Sequence, residues 1–515
     1  MKLSVLGYAS GMVVSVFVLA APTLAGGDSE NTIGLIEKGE DCSPGYNLFA
    51  PLNGTQTFLI DNDGMMVNSW VDTDPAGNAM YMLPNGNLLR CSDNGPQEGS
   101  VLAAGGDGGC IRIFGWDNTL LWDFCYNTPE YRLHHDIEPM PNGNVLAIAW
   151  EYKSYEESVA AGRDPLLIDT DGSNSVWPLH IIEIEPDGAT GGNIVWSWHL
   201  WDHLVQDFDS TKDNYGVVAD NPGKVDLNYV RDDRGDWIHA NSIDYNAERD
   251  EILISTPFLN EIWVIRHDTT TEEAAGSAGD LVYRWGNPQV YDRGTADDQT
   301  LFFNHDARWV LDGYPNAGSI TVFNNGNGRP AGPFSTVDIF TPPLDKGGNY
   351  EMPGTGAYGP ESGTILFNSE LSECFYSSGL SGVEMQPNGN VLVCKGRGSG
   401  TVCTRGGEFY EVTPSGEITW LYVNPVTTGG PLEQGAEAAG QNAFRCSRYP
   451  EEFPGFKGQD MSPKGPLETY ACEYDLNGDG MVDGADMGLL LSSWGNPYDG
   501  ADLGQMLSVW GLCSS

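Results

Sequence analysis

The sequence predicts a mostly β chain: a six-bladed β-propeller with long inserted loops, plus a small α-helical module at the C-terminus. Three observations carry this. Met82–Leu89, Met140–Leu146 and Gln386–Leu392 each place Pro-Asn-Gly ahead of an apolar strand, the signature of a tight hairpin turn. A second hairpin pattern alternates with the first: an apolar strand, an Asp/Pro-x-Gly turn, and a strand ending in Trp. It runs over Phe58–Trp70, Ile182–Trp198 and Phe409–Trp420, with Trp122 and Trp285 at similar places. Recurring hairpin pairs of this kind mean radial repetition, which protects sheet edges. The span from about residue 45 to about 425 has room for roughly six four-stranded blades. The third observation is a duplicated helical pattern near the end of the chain, taken up below.

At the N-terminus, Lys2, the apolar run Val13–Ala21 and the small residues of Thr23-Leu24-Ala25 read as a signal peptide over 1–25. The expectation is an exported protein: secreted, periplasmic or at the cell surface. No other segment is apolar for long enough to cross a membrane, so no transmembrane span is expected after cleavage. The ten Cys are then expected mainly in disulfides, with a connectivity that spacing does not reveal. The chain carries 25 Lys+Arg against 72 Asp+Glu, a net charge of -47. That excludes nucleic acid as a partner, because phosphate binding needs a basic surface, and disfavours docking on anionic lipid.

The propeller is expected over 26–448. Two inserts, Glu151–Val176 and His199–Asp236, are too long and polar for blade turns and read as lids or binding walls. Gly105–Gly109 reads as a flexible loop; it lacks the Lys and the strand-to-helix setting of a phosphate loop. His180 reads as structural and His267 as solvent-facing. His199 and His203 have a spacing that can hold a metal, but a structural or lid role fits better.

The remaining histidines carry the functional reading. His134-His135-Asp136, His239 in Asp236–Ser242 and His305 in Phe303–Trp309 share one form, a polar start feeding an apolar strand. In a propeller, equivalent strand starts converge on the central channel, so these histidines are expected at one mouth. A neutral imidazole is a good nucleophile near neutral pH.

His239 with Asn241–Tyr245, the run Asp280–Pro288, His305–Trp309 and Val322–Gly326 together resemble the motifs of bacterial aryl-sulfate sulfotransferases. The resemblance implies a six-bladed propeller that moves a sulfuryl group from a phenolic sulfate ester to an acceptor phenol. It implies a sulfurylated histidine in between and no nucleotide sulfate donor or other nucleotide cofactor. By motif, His305 corresponds to the nucleophile, and His239 and His135 to the two other active-site histidines. The family places an arginine shortly after the strand Glu251–Ser255, where this chain has Pro257. Proline offers neither charge nor donor, and Arg308, Arg329 and Arg397 are the candidates to replace the arginine. Two alternatives stay open: a non-catalytic ligand- or glycan-binding propeller of the cell surface, and a sulfate-ester hydrolase in which water replaces the phenol.

Beyond a Pro-rich stretch over 449–469, which reads as a linker, residues 470–515 form the separate module. Asp475, Asn477, Asp479, Met481 (through its carbonyl), Asp483 and Asp486 fall at the spacing of a calcium loop, with Gly480 at the sharp turn. The helical pattern Gly484–Gly495 then recurs as Gly500–Gly511. The duplicate resembles a dockerin, which implies structural calcium and a docking partner. Cys472 and Cys513 bracket it and are expected to staple it.

Overall fold

The computed structural model describes residues 31–168, 173–229, 234–352, 354–368, 374–399, 403–437, 439–470, 474–477 and 481–512. The proposed signal segment, Asp479, Cys472 and Cys513 therefore lie outside the described residues.

Six antiparallel four-stranded sheets are arranged as blades, and their inner strands pack side by side around the axis. The second blade runs Ala76–Met82, Leu88–Asp93, Gly109–Phe114 and Leu120–Cys125, and the third begins on Tyr131–Pro139 and Val145–Glu151. The fourth, fifth and sixth begin on Ser242–Asn246, Asn304–Trp309 and Gly382–Met385. The Pro-Asn-Gly turns each join the first and second strands of a blade, and the strand pairs ending in Trp are the third and fourth.

The repeated Trp has a physical reason. On five of the blades an outer-strand indole N–H donates to a backbone carbonyl in the outer connection of the next blade. Trp70 bonds Gly115 O at 2.9 Å, Trp122 bonds Gly191 O at 2.8 Å, and Trp198 bonds Gly279 O at 2.8 Å. Trp285 bonds Pro360 O at 2.7 Å, and Trp420 bonds Asn62 O at 2.9 Å, from the last blade to the first. Each ring thus buries a large apolar area while its polar edge is satisfied.

Closure is made by segments outside the recognisable repeats. Ala443–Tyr449 becomes the inner strand of the first blade, beside Tyr46–Pro51, and Gly34–Lys38 adds a fifth strand to the last. The stretch 449–469 differs from a free linker. Phe456 packs on Tyr46 and Trp116, Phe453 on Tyr449, and Met461 against the same apolar cluster; Leu467 enters a second cluster, and Lys464 N donates to Met66 O at 2.7 Å.

Two disulfides form among the described residues, Cys110–Cys125 and Cys374–Cys403. Cys42, Cys91, Cys394 and Cys446 are free thiols, against the expectation that most would pair. Three of them are buried and behave as small hydrophobes within the blades. Burial pushes their thiols up, away from reactivity. No helix among the described residues is long and apolar enough to cross a membrane.

At the C-terminus, helices Gly484–Ser492 and Gly500–Ser508 enclose a small core of Tyr474, Val482, Leu490 and Met506. Both start on the same device. Asp483 and Asp499 cap Ala485 N and Ala501 N, while Asp486 and Asp502 reach back to the cap N–H. Asp486 also accepts from Leu476 N and Asn477 N, so its carboxylate ties the start of the first helix to the segment that carries Asp475 and Asn477.

Candidate active site

The inner strands bring the three histidines to one channel mouth, at different registers. His135 lies inside Tyr131–Pro139, His305 is second in Asn304–Trp309, and His239 precedes Ser242–Asn246 by three residues. The two inner strands that carry His135 and His305 are bulged at these positions, which re-aims a side chain. His135 and His239 themselves sit at φ 53 and 54, a region that a non-glycine residue seldom occupies. Strained backbone of this kind clusters at functional sites.

The rings of His135 and His239 meet edge to face with centroids 4.6 Å apart. His239 stacks on Phe258 at 4.5 Å, Phe258 on Phe303 at 5.7 Å, and Phe303 lies 5.6 Å from His305. Phe444 approaches His135 from the other side at 6.1 Å. The mouth is therefore an arc of imidazoles backed by phenyl rings.

Each imidazole has a different partner. His305 Nδ1 lies 2.7 Å from Asn325 Oδ1, whose amide nitrogen donates in turn to Ser377 O and Leu380 O. The amide orientation this requires makes Nδ1 the donor and leaves Nε2 its lone pair, toward which Leu380 N–H points at 3.1 Å. Leu380 does so from φ 63. Burial pushes His305 down to about 4, against the pull of Asn325, so the ring is neutral near pH 7. His239 Nδ1 bonds Asp236, which also accepts from Trp150 Nε1 at 2.9 Å. Burial raises the Asp236 carboxyl, but the adjacent His239 outweighs it and holds the group below the usual range. Asp236 is thus ionised, and His239 Nδ1 donates. His135 Nδ1 lies 2.9 Å from His134 Nδ1. Burial and its histidine neighbours push His135 well down, while burial takes His134, stacked on Trp150, to about 3.

The two inserts build the wall beside His239. The helix Tyr155–Ala161 leads to Arg163, which donates to Leu227 O of the second insert and lies over Trp237 at 5.1 Å. The Gly105–Gly109 loop, expected as flexible, is packed into the site. A side chain at Gly106 would strike the His135 ring at 2.0 Å, and His135 N donates to Gly106 O at 2.7 Å. Arg132 ties the loop down through Asp107 at 3.0 Å and Leu102 O at 2.8 Å. Only glycine lets that backbone approach the imidazole.

Among the candidate arginines, Arg308 does not reach the mouth. It lies further along the channel, against Asp306 at 2.9 Å, Tyr81 at 2.6 Å and Glu138 at 3.4 Å. Arg445 sits beside it, gripping Asp136 through both terminal nitrogens at 3.0 Å. Arg329 is held over Phe302 and Phe334. Arg397 is exposed on a loop whose N–H bonds Ser377 Oγ at 3.2 Å.

The remaining histidines do not join the site. His199 bonds Glu151 and stacks on His180, and His203 bonds Asp280, so the spaced pair does not converge. His267, expected in solvent, is largely buried between Glu183 at 3.1 Å and Asp250 at 2.7 Å. Asp236, Asn325, Phe258 and Leu380 carry roles that motif reading had not given them. Only Asp236, three residues before His239, had a spacing that could have suggested one.

Residues 52–341 match the Arylsulfotransferase (ASST) family. No curated protein matches the chain. Solved structures similar to it include a protein of unknown function from Dyadobacter fermentans, at 9% identity and TM-score 0.40, covering 82% of this chain and 96% of that one. Others are the periplasmic gluconolactonase of Pseudomonas aeruginosa (12%, TM-score 0.35, 73% and 96%) and the hydrazine synthase of Kuenenia stuttgartiensis (12%, TM-score 0.34, 57% and 66%).

Proposed function

The chain belongs to the Arylsulfotransferase (ASST) family, and from that premise we propose that it moves a sulfuryl group between phenols through a covalent histidine. His305 Nε2 attacks the sulfur of a phenolic sulfate ester, and the S–O bond to the phenol breaks with its electron pair on the phenolate oxygen. His239 gives that oxygen a proton. In the second half-reaction His239 takes the proton of an acceptor phenol, whose oxygen attacks sulfur and returns the N–S electron pair to Nε2.

The observation that carries this reading is the division of partners. An imidazole bonded to an uncharged amide and buried stays neutral and nucleophilic, as His305 does. An imidazole bonded to an ionised carboxylate is supported when it holds a proton, as a general acid requires. His135 faces His239 and is suited to bind a sulfuryl oxygen. Leu380 N–H loses its acceptor once Nε2 bonds sulfur, and then becomes a fixed donor beside the developing charge. Phe258, Phe303 and Phe444 suit a phenyl ring, which favours phenol over water as acceptor. No nucleotide donor enters this scheme.

The protein is proposed to act after export, cleaved from its signal segment. Asp475, Asn477, Asp479, the Met481 carbonyl, Asp483 and Asp486 form an all-oxygen donor set of the kind calcium takes. They would hold the ion as a structural element of a dockerin-like docking module, and it supplies no step at the histidines. The test is a chromogenic aryl sulfate with and without added phenol. Phenol-stimulated release that His305→Ala abolishes, with the fold intact, is the expected result; release that survives the substitution contradicts it.

A further inference from the structure

A neutral imidazole has one N–H and one lone pair, so the nitrogen that holds the proton decides what each ring at the mouth can do. His305 and His239 have their Nδ1 protons placed by Asn325 and Asp236. His135 is placed differently. Its Nδ1 meets a second imidazole, His134 Nδ1, at 2.9 Å, and Nε2 is the nitrogen it offers to the mouth.

Burial keeps both rings of this pair neutral, so one proton lies between the two Nδ1 atoms. Either His134 donates it and His135 carries its own proton on Nε2, or His135 donates and its Nε2 is a bare lone pair. The surroundings of His134 separate the two. Its ring is buried and lies flat against Trp150, with centroids 4.4 Å apart and planes 14° apart. Trp150 is fixed in turn by its bond to Asp236 at 2.9 Å, so the ring has one place to lie. His134 Nε2 is buried there and makes no hydrogen bond; the Ala149 carbonyl beside the ring takes none from it. A proton on that nitrogen would be an N–H buried with nothing to receive it, the orphan that folded proteins most avoid, whereas a bare lone pair is tolerated more often. The proton of His134 therefore belongs on Nδ1.

We infer that His134 is a positioning residue: it donates Nδ1–H to His135 Nδ1 and so holds the His135 proton on Nε2, which makes His135 an N–H donor to an oxygen of the sulfuryl group. What that donor binds rests on the sulfuryl-transfer reading; the tautomer is a property of the free protein. The mouth then presents imidazoles of opposite kind, the lone pair of His305 that attacks and the N–H of His135 that receives the charge developing on oxygen.

The test is long-range 1H–15N spectroscopy on the full chain labelled at its eight histidines, with kcat and KM measured for an aryl sulfate and for phenol. His135 is expected in the Nε2–H form, opposite to His305. His134→Phe keeps a ring against Trp150 and removes the donor. His135 should then lose its single form, and kcat should fall about tenfold, the scale of one misplaced hydrogen bond, with KM for phenol unchanged. His134→Asn returns a donor close to the Nδ1 position without the ring, and is expected to restore the Nε2–H form and most of the rate. The wild-type spectrum decides the tautomer even where a variant does not fold. A His135 proton on Nδ1, or an unchanged form with full activity in His134→Phe, would overturn the assignment. An Nε2–H form that depends on His134, in a protein that releases no phenol, would leave the assignment standing and remove the catalytic reading.

Discussion

The two ends of the central channel are built from the same strands and treat charge in opposite ways. At the mouth, His135 and His305 are held neutral by burial, bonded to a second imidazole and to an amide. A few residues further along, Asp136 and Asp306 are bound into a buried network with Arg308, Arg445 and Tyr81. The dipeptide His-Asp occurs on two inner strands and serves both ends: its first residue faces the mouth, its second anchors the channel. Asp306 Oδ2 also accepts from Val383 N at 3.0 Å and Asp136 Oδ2 from Ile243 N at 3.0 Å, so each carboxylate locks a neighbouring inner strand. Reactive neutrality is thus obtained next to charge because the charge is fully paired.

The sharpest way to break this contrast is at its single crossing point, the one mouth imidazole bonded to a carboxylate. Asp236→Asn should leave the fold intact and lower kcat roughly a hundred- to ten-thousandfold, the range of a lost general acid–base. Equal activity would mean that His239 does not move the phenol proton.

The converse test is at the anchoring end. Arg445→Met should cost about 3 kcal/mol of stability in denaturant unfolding, because it removes one of the two guanidinium groups that pair the buried Asp136 and Asp306. A loss of activity with no loss of stability would place Arg445 in the chemistry instead.

A smaller effect sharpens the same rule away from the channel. Burial opposes charge on His267, but Glu183 and Asp250 outweigh it and raise the imidazole. A raised histidine contributes stability that is present below its unfolded pKa and lost as pH rises through the folded one. Thermal unfolding should therefore show stability declining above about pH 6.5, with the decline absent in His267→Gln. An identical pH profile in the variant would mean that this pair contributes nothing.

Much of this was legible in the residues, and the reasons for the rest are physical. The hairpin turns and the Trp strand ends report local geometry, so the blades could be read from them. The closing strand Ala443–Tyr449 carries no such turn and pairs with a strand some 400 residues earlier, a contact no local pattern encodes. His135, His239 and His305 were readable because histidine is scarce here and each sits in a recognisable setting. The partners that divide their roles come from neighbouring loops and blades. Asn325 meets His305 from the next strand, and Leu380 meets it from the loop before the sixth blade. Arg308 looked equivalent to any mouth arginine in sequence, but the bulge at His305 sends it to the other end.

The account turns on His305 carrying the transferred group. Incubating the protein with an aryl sulfate and no acceptor, then digesting at alkaline pH and reading the peptides by mass, tests this directly. One sulfuryl group on the peptide that holds His305, released on adding phenol and absent from His305→Ala, is the predicted result. Stoichiometric phenol release with that peptide unmodified, or with the group on His135 or His239, would contradict it.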